Sequence, residues 1–342
     1  MFINALQFGI LSPEKMRQMS VCEVVTDELY ENGAPKPGGL RDPLFGVSSR
    51  QGCCTACGKT WSDCSGHFGH YELPVPLYHI GWMNEAMQWL RRTCVCGAVS
   101  TKVRTKKCAC GKLARKYSRK NSTCITMTDQ NGTRKIQAAE TYKILCRIPQ
   151  DQIANYTPNN LDFHPSWLIL RVLPIPPNCV RPSPTLDGDE VRGEDDITRR
   201  LLFVIRVVKG YKKIMDENSI VRGHSLERVQ DAVHMYIDQN RMPGTTKNAQ
   251  KSISERLRGK TGRLRGTLMG KRCNHTARTV ITGDAMLDMR DVGVPRCVAE
   301  TLTIEEHINR LNFKQMSKLV RDQDKRIKCL IHKDGTRIDM RI

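Results

Sequence analysis

Between residues 54 and 67 the chain places Cys54, Cys57, Cys64 and His67 at Cys-x2-Cys-x6-Cys-x2-His spacing. Two donors separated by two residues can be aimed at one ion from a single tight turn, and four such donors close a tetrahedral zinc site. Gly58 follows the first pair and Gly66 splits the second, where a left-handed backbone lets each turn close. A second group, Cys94, Cys96, Cys108 and Cys110, offers four thiolates, the composition of a closed structural site rather than a catalytic one. Its pairs have one intervening residue instead of two, so the turn must be tighter. Cys124 is a reserve ligand, Cys53 is a spare thiol beside the first group, and reduced cysteines without metal stay open for the second.

A different chemistry is written between Arg241 and Arg278. Eleven Lys or Arg stand there against Glu255 alone, and Gly259, Gly262, Gly266 and Gly270 recur among them. Several cations with no base-reading pattern are what sequence-indifferent binding to a phosphate backbone needs. Leu257, Leu264, Leu268 and Met269 are expected to anchor the stretch, which separates it from a disordered basic tail. Residues 92–120 carry ten further Lys or Arg and no acid. Part of that excess offsets a four-thiolate zinc centre, and the rest faces phosphate or keeps a surface soluble.

These groups sit in a chain of 342 residues with net charge +20, long enough for two or three domain-sized units. Such a charge points to a polyanionic partner. No apolar run of about 18 residues spans a bilayer, and no secretory signal is visible at the start. Fifteen cysteines then fit metal binding in a reducing compartment better than a disulfide framework. An aromatic content of 6% argues against a base-stacking single-strand binder.

The fold class expected is mixed α/β (α+β) in several parts. Residues 1–50 read as an extended lead, broken by Gly and Pro. Residues 51–125 are metal-organised with a helix near Asn84–Arg92, and 126–165 read as irregular. Trp167–Leu173 reads as a buried strand leaving into Pro174-Ile-Pro-Pro177, and 181–196 as a loop. A helix over roughly Ile197–Asn218, interrupted or bent near Gly210, and another after an N-cap at Ser225 make an antiparallel hairpin across the turn Ser219–His224. Residues 301–320 read helical and 335–341 as a strand.

Five motifs resemble, in order, the N-terminal part of the largest subunit of a multisubunit DNA-directed RNA polymerase, closest to the eukaryotic RNA polymerase II type. They are Gly38-Gly-Leu-Arg-Asp-Pro-Leu-Phe-Gly46 with the first cysteine group, His67-Phe-Gly-His70, His164-Pro-Ser-Trp167, Arg192-Gly-Glu-Asp-Asp196, and Arg256-Leu-Arg-Gly-Lys260 through Arg272 and Ala277-Arg278. The resemblance implies that this is the front end of a longer subunit, the clamp that holds template DNA and the DNA–RNA hybrid. Its implied parts are a clamp core segment (1–50), a zinc-binding head (51–125), more clamp core with a lid-like loop at 182–196, and a helix hairpin (197–240). A rudder-like and switch-like basic segment (241–285) and the start of an active-centre domain (286–342) follow. The rudder-like stretch, 241–251, is a few residues shorter than usual.

By the same resemblance Arg258, Lys260, Arg265, Arg272 and Arg278 contact template phosphates, with Arg263 and Lys271 as neighbours. The zinc ligands are the two groups above. Polymerase chemistry needs two Mg2+ ions held by clustered carboxylates. The family's Asn-Ala-Asp-Phe-Asp-Gly-Asp string does not occur here, so Mg2+ is expected only in the full enzyme and no catalytic residue in this chain. Asp284, Asp288 and Asp291 read as solvating groups of a helix or turn. Implied partners are nucleic acid, the second-largest and smaller polymerase subunits, and initiation or elongation factors at the hairpin, with no membrane. The implied location is the nucleus for a cellular source, or the virion or a cytoplasmic viral factory for a large DNA virus. The competing reading is a free-standing zinc-containing DNA-binding regulator derived from such a subunit.

Overall fold

The computed structural model describes residues 9–47, 52–100, 102–103, 107–111, 113–121, 124–129, 132–154, 156, 162–183, 193–215, 219–242, 250–322, 324, 326–333 and 336–340. It has mixed α/β composition and divides into two compact units, Met1–Arg265 and Gly266–Ile342.

The first unit opens with helix α1 (Pro13–Met19), capped by Ser12 Oγ accepting from the Lys15 N–H at 3.1 Å. A small ribbon of β1 (Tyr30–Glu31) and β2 (Ala34–Pro35) follows. Strand β3 (Gly69–Tyr78) leads into helix α2 (Met83–Arg92), and then β4 (Lys116–Asn121), β5 (Cys124–Asp129) and β6 (Gly132–Ile136) form an antiparallel meander. Helices α3 (Ala138–Leu145) and α4 (Gln150–Ala154) precede β7 (Ile169–Ile175), which pairs antiparallel with β3. The β3–β7 ladder breaks between Glu72 and Leu77, where Pro74 and Pro76 have no N–H to donate. Long helices α5 (Asp196–Ile214) and α6 (Ser219–Asp238) come next, then short α7 (Ile253–Leu257).

Two apolar cores hold this unit. In one, α5 presents Leu201, Val204, Ile205, Val208 and Tyr211 at helical spacing, against Val229, Val233 and Tyr236 of α6 and the β3–β7 pair. The other joins Met83, Ala86 and Leu90 of α2 to Tyr117, Ile125, Met127 and Ile136 of the meander and Ile144 and Leu145 of α3. Tyr78 ties them together. Its hydroxyl donates to Ile136 O at 3.0 Å, while the Gln230 side-chain amide accepts from its N–H and donates to its C=O, both at 2.8 Å.

Three expectations are corrected here. The described residues between 126 and 154 are not irregular but form β5, β6, α3 and α4. Ile125 and Met127 point into the core while the Thr126 and Thr128 hydroxyls meet Ser118 and Thr133 across the strands at 2.8 and 2.9 Å. Helix α5 passes through Gly210 without interruption. A helical glycine costs about 1 kcal/mol, and the burial of Val208 and Tyr211 on either side exceeds that. Ser225 does not cap α6, which already starts at Ser219, so 219–224 is helix rather than turn. A serine ends a helix only where the chain before it departs, and Gly223 alone is too weak a break. Residues 216–218, within the expected first helix, lie outside the described residues.

The second unit contains α8 (Arg296–Thr301), α9 (Phe313–Arg321) and a ribbon of β8 (Cys329–Ile331) with β9 (Arg337–Asp339). The helix expected over 301–320 is therefore real only from 313. Asn309 Oδ1 accepts from the N–H groups of Leu311 and Asn312 at 2.9 and 3.0 Å, a local turn that competes with helix before that point.

Candidate metal centres and basic segment

The structure brings Cys54, Cys57, Cys64 and His67 together, with their ligand atoms all within 4.8 Å of one another. Cys57 Sγ lies 3.7 Å from Cys64 Sγ, and Cys64 Sγ lies 3.7 Å from His67 Nε2. Around a zinc ion with Zn–S near 2.3 Å, a tetrahedral edge between two sulfurs measures about 3.8 Å. The donors are already spaced for one. The first turn closes by the Gly58 N–H donating to Cys54 O at 2.8 Å, with Gly58 at φ +68°. Gly66, at φ +82°, sits so close to Pro177 and Cys179 that a Cβ would lie 2.5 Å from Pro177 Cβ. The site is seated on the first core through Phe45, whose carbonyl accepts from the His67 N–H at 3.2 Å.

Cys94, Cys96, Cys108 and Cys110 form the second group, also within 4.8 Å. Cys94 and Cys110 sulfurs are 3.5 Å apart, and Cys96 and Cys108 sulfurs 3.7 Å. The shortened spacing is accommodated by a three-residue closure. Gly97 and Gly111 donate to Cys94 O and Cys108 O at 2.9 and 2.8 Å, both with positive φ. Gly97 rests on the carbonyl of Arg147, whose guanidinium donates to Val95 O at 2.8 Å. Neither spare thiol is needed for these quartets: Cys124 begins β5 opposite Asn121, and Cys53 bridges to Thr60.

Burial shapes the acidity of the thiols. At Cys54 burial opposes ionisation, but N–H donors from Cys57 and Ala56 outweigh it and the pKa falls. Cys94 is pushed up to about 12, first by burial and then by neighbouring thiols. A bound divalent cation reverses that preference, because a coordinated thiol is held as thiolate.

Residues 252–278 begin at α7, whose start is a capping box in which Ser252 N–H donates to Glu255 Oε2 at 2.9 Å. Leu264–Met269 winds as a wide π-helical turn, a rare form often found at functional sites. Lys260, Arg263, Arg265, Lys271, Arg272 and Arg278 are exposed, and no ion pair to any of them occurs among the described residues. Arg258 differs: it lies 3.8 Å from Asp238, a carboxylate that Arg241 also approaches at 3.2 Å. The expected apolar anchors do not bury. Leu257, Leu264, Leu268 and Met269 are all exposed, because flanking charges and glycines supply no apolar neighbours. Asp284 and Asp288 accept from the N–H groups of Met286 and Met289 at 2.9 and 2.7 Å, the turn role expected of them.

Residues 1–107 and 95–268 match the sequence profile described as RNA polymerase Rpb1, domain 1, and residues 270–342 match RNA polymerase Rpb1, domain 2. The chain belongs to the family of largest RNA polymerase subunits and corresponds to its N-terminal part. It is 34% identical over 388 residues to the DNA-directed RNA polymerase subunit Rpo1N of Sulfolobus acidocaldarius, covering 99% of this chain and 44% of that relative. It is 31% identical over 391 residues to Rpo1N of Methanocaldococcus jannaschii, covering 99% of this chain and 29% of the relative. The chain thus spans less than half the length of these curated relatives. No described helix is long and apolar enough to cross a membrane.

Proposed function

We propose that this chain is the clamp portion of a DNA-directed RNA polymerase and grips template DNA and the DNA–RNA hybrid through residues 258–278. The observation that carries this reading is the set of six exposed cations at 260–278 with no ion pair among the described residues, in a chain whose family transcribes DNA. Cations without an internal carboxylate are free to exchange their counterions for phosphates. Two zinc ions serve a structural role, held by Cys54, Cys57, Cys64 and His67 and by Cys94, Cys96, Cys108 and Cys110. When bound, each ion supplies fixed geometry and neutralises thiolate charge. Nucleotidyl transfer itself belongs to the assembly, whose Mg2+-binding carboxylates lie outside this chain. The α5–α6 hairpin is a surface for initiation or elongation factors, and the second-largest and smaller subunits complete the enzyme. The site of action follows the genome transcribed: a nucleus for a eukaryotic source, a virion or viral factory for a large DNA virus.

The test is binding of a DNA–RNA hybrid scaffold to the assembled polymerase as salt is varied. Arg265→Ala or Arg272→Ala should each lower the slope of log affinity against log salt by roughly one unit. Slopes unchanged in both variants would remove the template from this segment.

A further inference from the structure

The cations between 241 and 278 divide by partner. Arg256 donates through Nη2 to Asp195 Oδ2 at 2.5 Å and through Nη1 to Val180 O at 3.3 Å. Those acceptors lie on either side of residues 181–194, so one guanidinium joins the chain before that stretch to the chain after it. Asp195 is also the N-cap of α5, its Oδ1 accepting from the Ile197 N–H at 2.9 Å. The next residue, Asp196, accepts from the Lys251 N–H at 3.2 Å. One turn further on, buried Arg200 donates to Gln250 O at 3.1 Å and to the Gln239 side-chain carbonyl, joining the two sides of residues 240–249. Arg41, with its side chain almost fully buried, repeats the pattern. It donates to Glu194 Oε2 at 2.6 Å and to Arg181 O at 2.8 Å.

We infer that the first turn of α5 is a hub that sets the root of the basic segment, and that Arg256 is a positioning residue rather than a phosphate contact. The reason is electrostatic and geometric together. Arg256 is three-quarters buried in a pair whose carboxylate is buried more deeply still, so offering it to a phosphate would strip Asp195 of its partner. Arg265 and Arg272 lose nothing internal on meeting a phosphate. The hub reaches residues 250–256 directly, through the Gln250 carbonyl, the Lys251 backbone and the Arg256 side chain. Charge deletion at Arg256 therefore acts through the placement of the cations that follow it, not through the number of phosphates contacted.

This inference rests on the proposed grip, and one experiment separates the two. Affinity of the assembled polymerase for the hybrid scaffold is measured across salt for Arg256→Ala, Arg256→Lys, Asp195→Asn, the Arg256→Ala/Asp195→Asn double variant, and Arg265→Ala. Arg256→Ala should weaken binding by a constant factor, between about two- and thirtyfold, with the slope unchanged. Asp195→Asn should act alike, and the double variant should be no weaker than the worse single. Arg256→Lys, which can keep the Asp195 contact, should restore part of the affinity. A slope lowered by about one unit in Arg256→Ala makes it a phosphate contact and overturns the inference while the grip stands. Unchanged affinity with only a lowered melting temperature makes its role purely structural and also overturns it. If Arg265→Ala leaves affinity and slope untouched, the grip fails and the positioning role falls with it.

Discussion

The two units of this chain use the same residue types to opposite ends. In Met1–Arg265 the apolar residues of α5, α6, β3 and β7 are buried together, and the first cysteine quartet is seated on that packing through Phe45. In Gly266–Ile342 no described residue is buried. Ile281, Met289, Ile304 and Leu311 are between 95% and 102% exposed. Burial at roughly 25 cal/mol per Å² is what offsets chain entropy, and an exposed apolar side chain contributes none of it. Hydrophobic residues therefore make a core only where periodic elements bring several of them to one place.

The largest contrast should come from metal. Cys57→Ser should remove one ion and unfold residues 52–67 locally, and chelation should remove both ions, since structural zinc contributes on the order of 10 kcal/mol of folding free energy. Hydrogen exchange at the Gly58 and Cys64 amides, both bonded within the knuckle, reports it. The amides of α9 in the second unit should not respond. Elemental analysis of intact protein should find two zinc ions, and one or fewer would eliminate the second quartet.

Core truncation should follow. Leu201→Ala, at a fully buried position in α5, should cost about 2–5 kcal/mol, and Met289→Ala should stay within about 0.5 kcal/mol. Equal losses measured by denaturant titration would erase the distinction between the units.

A pH effect of intermediate size belongs to the first unit. His234 of α6 is fully buried, with Nε2 3.0 Å from Tyr78 O, and its pKa is lowered to about 4 by burial and then by His79 and Arg119. The unfolded chain takes up the proton near pH 6.5, before the folded state does. Its stability contribution is thus complete above pH 6.5 and lost as pH falls toward 4, amounting to about 2 kcal/mol by pH 5. His234→Phe should flatten that part of the stability–pH curve, and an unchanged curve would reject the assignment.

The smallest effect is expected where charges pair on the open surface. The Arg296–Glu300 pair of α8, 2.7 Å apart with side chains 89% and 61% exposed, should change thermal stability by no more than about 0.5 kcal/mol on Arg296→Ala.

Both candidate metal quartets could be read directly from the chain, because pairs of ligands two or three residues apart are aimed by local turns, and only seven or twelve residues separate one pair from the next. The long helices were legible for a similar reason: Leu201, Val204, Ile205 and Val208 repeat at the period of one helical face. The start of α6 and the continuity of α5 through Gly210 were not, since a cap or a glycine shifts the balance by only about 1 kcal/mol and packing outweighs it. Nor did the polar stretch after residue 125 announce its strands. Ile125 and Met127 become core residues only once α2 and α3 cover them. Partner assignment lay furthest out of reach. Arg256 and Arg265 are alike in sequence, and one is distinguished only by Asp195, 61 residues away along the chain. A side chain's type sets what it can bind, but its contacts depend on neighbours that only the folded chain brings within a few ångströms.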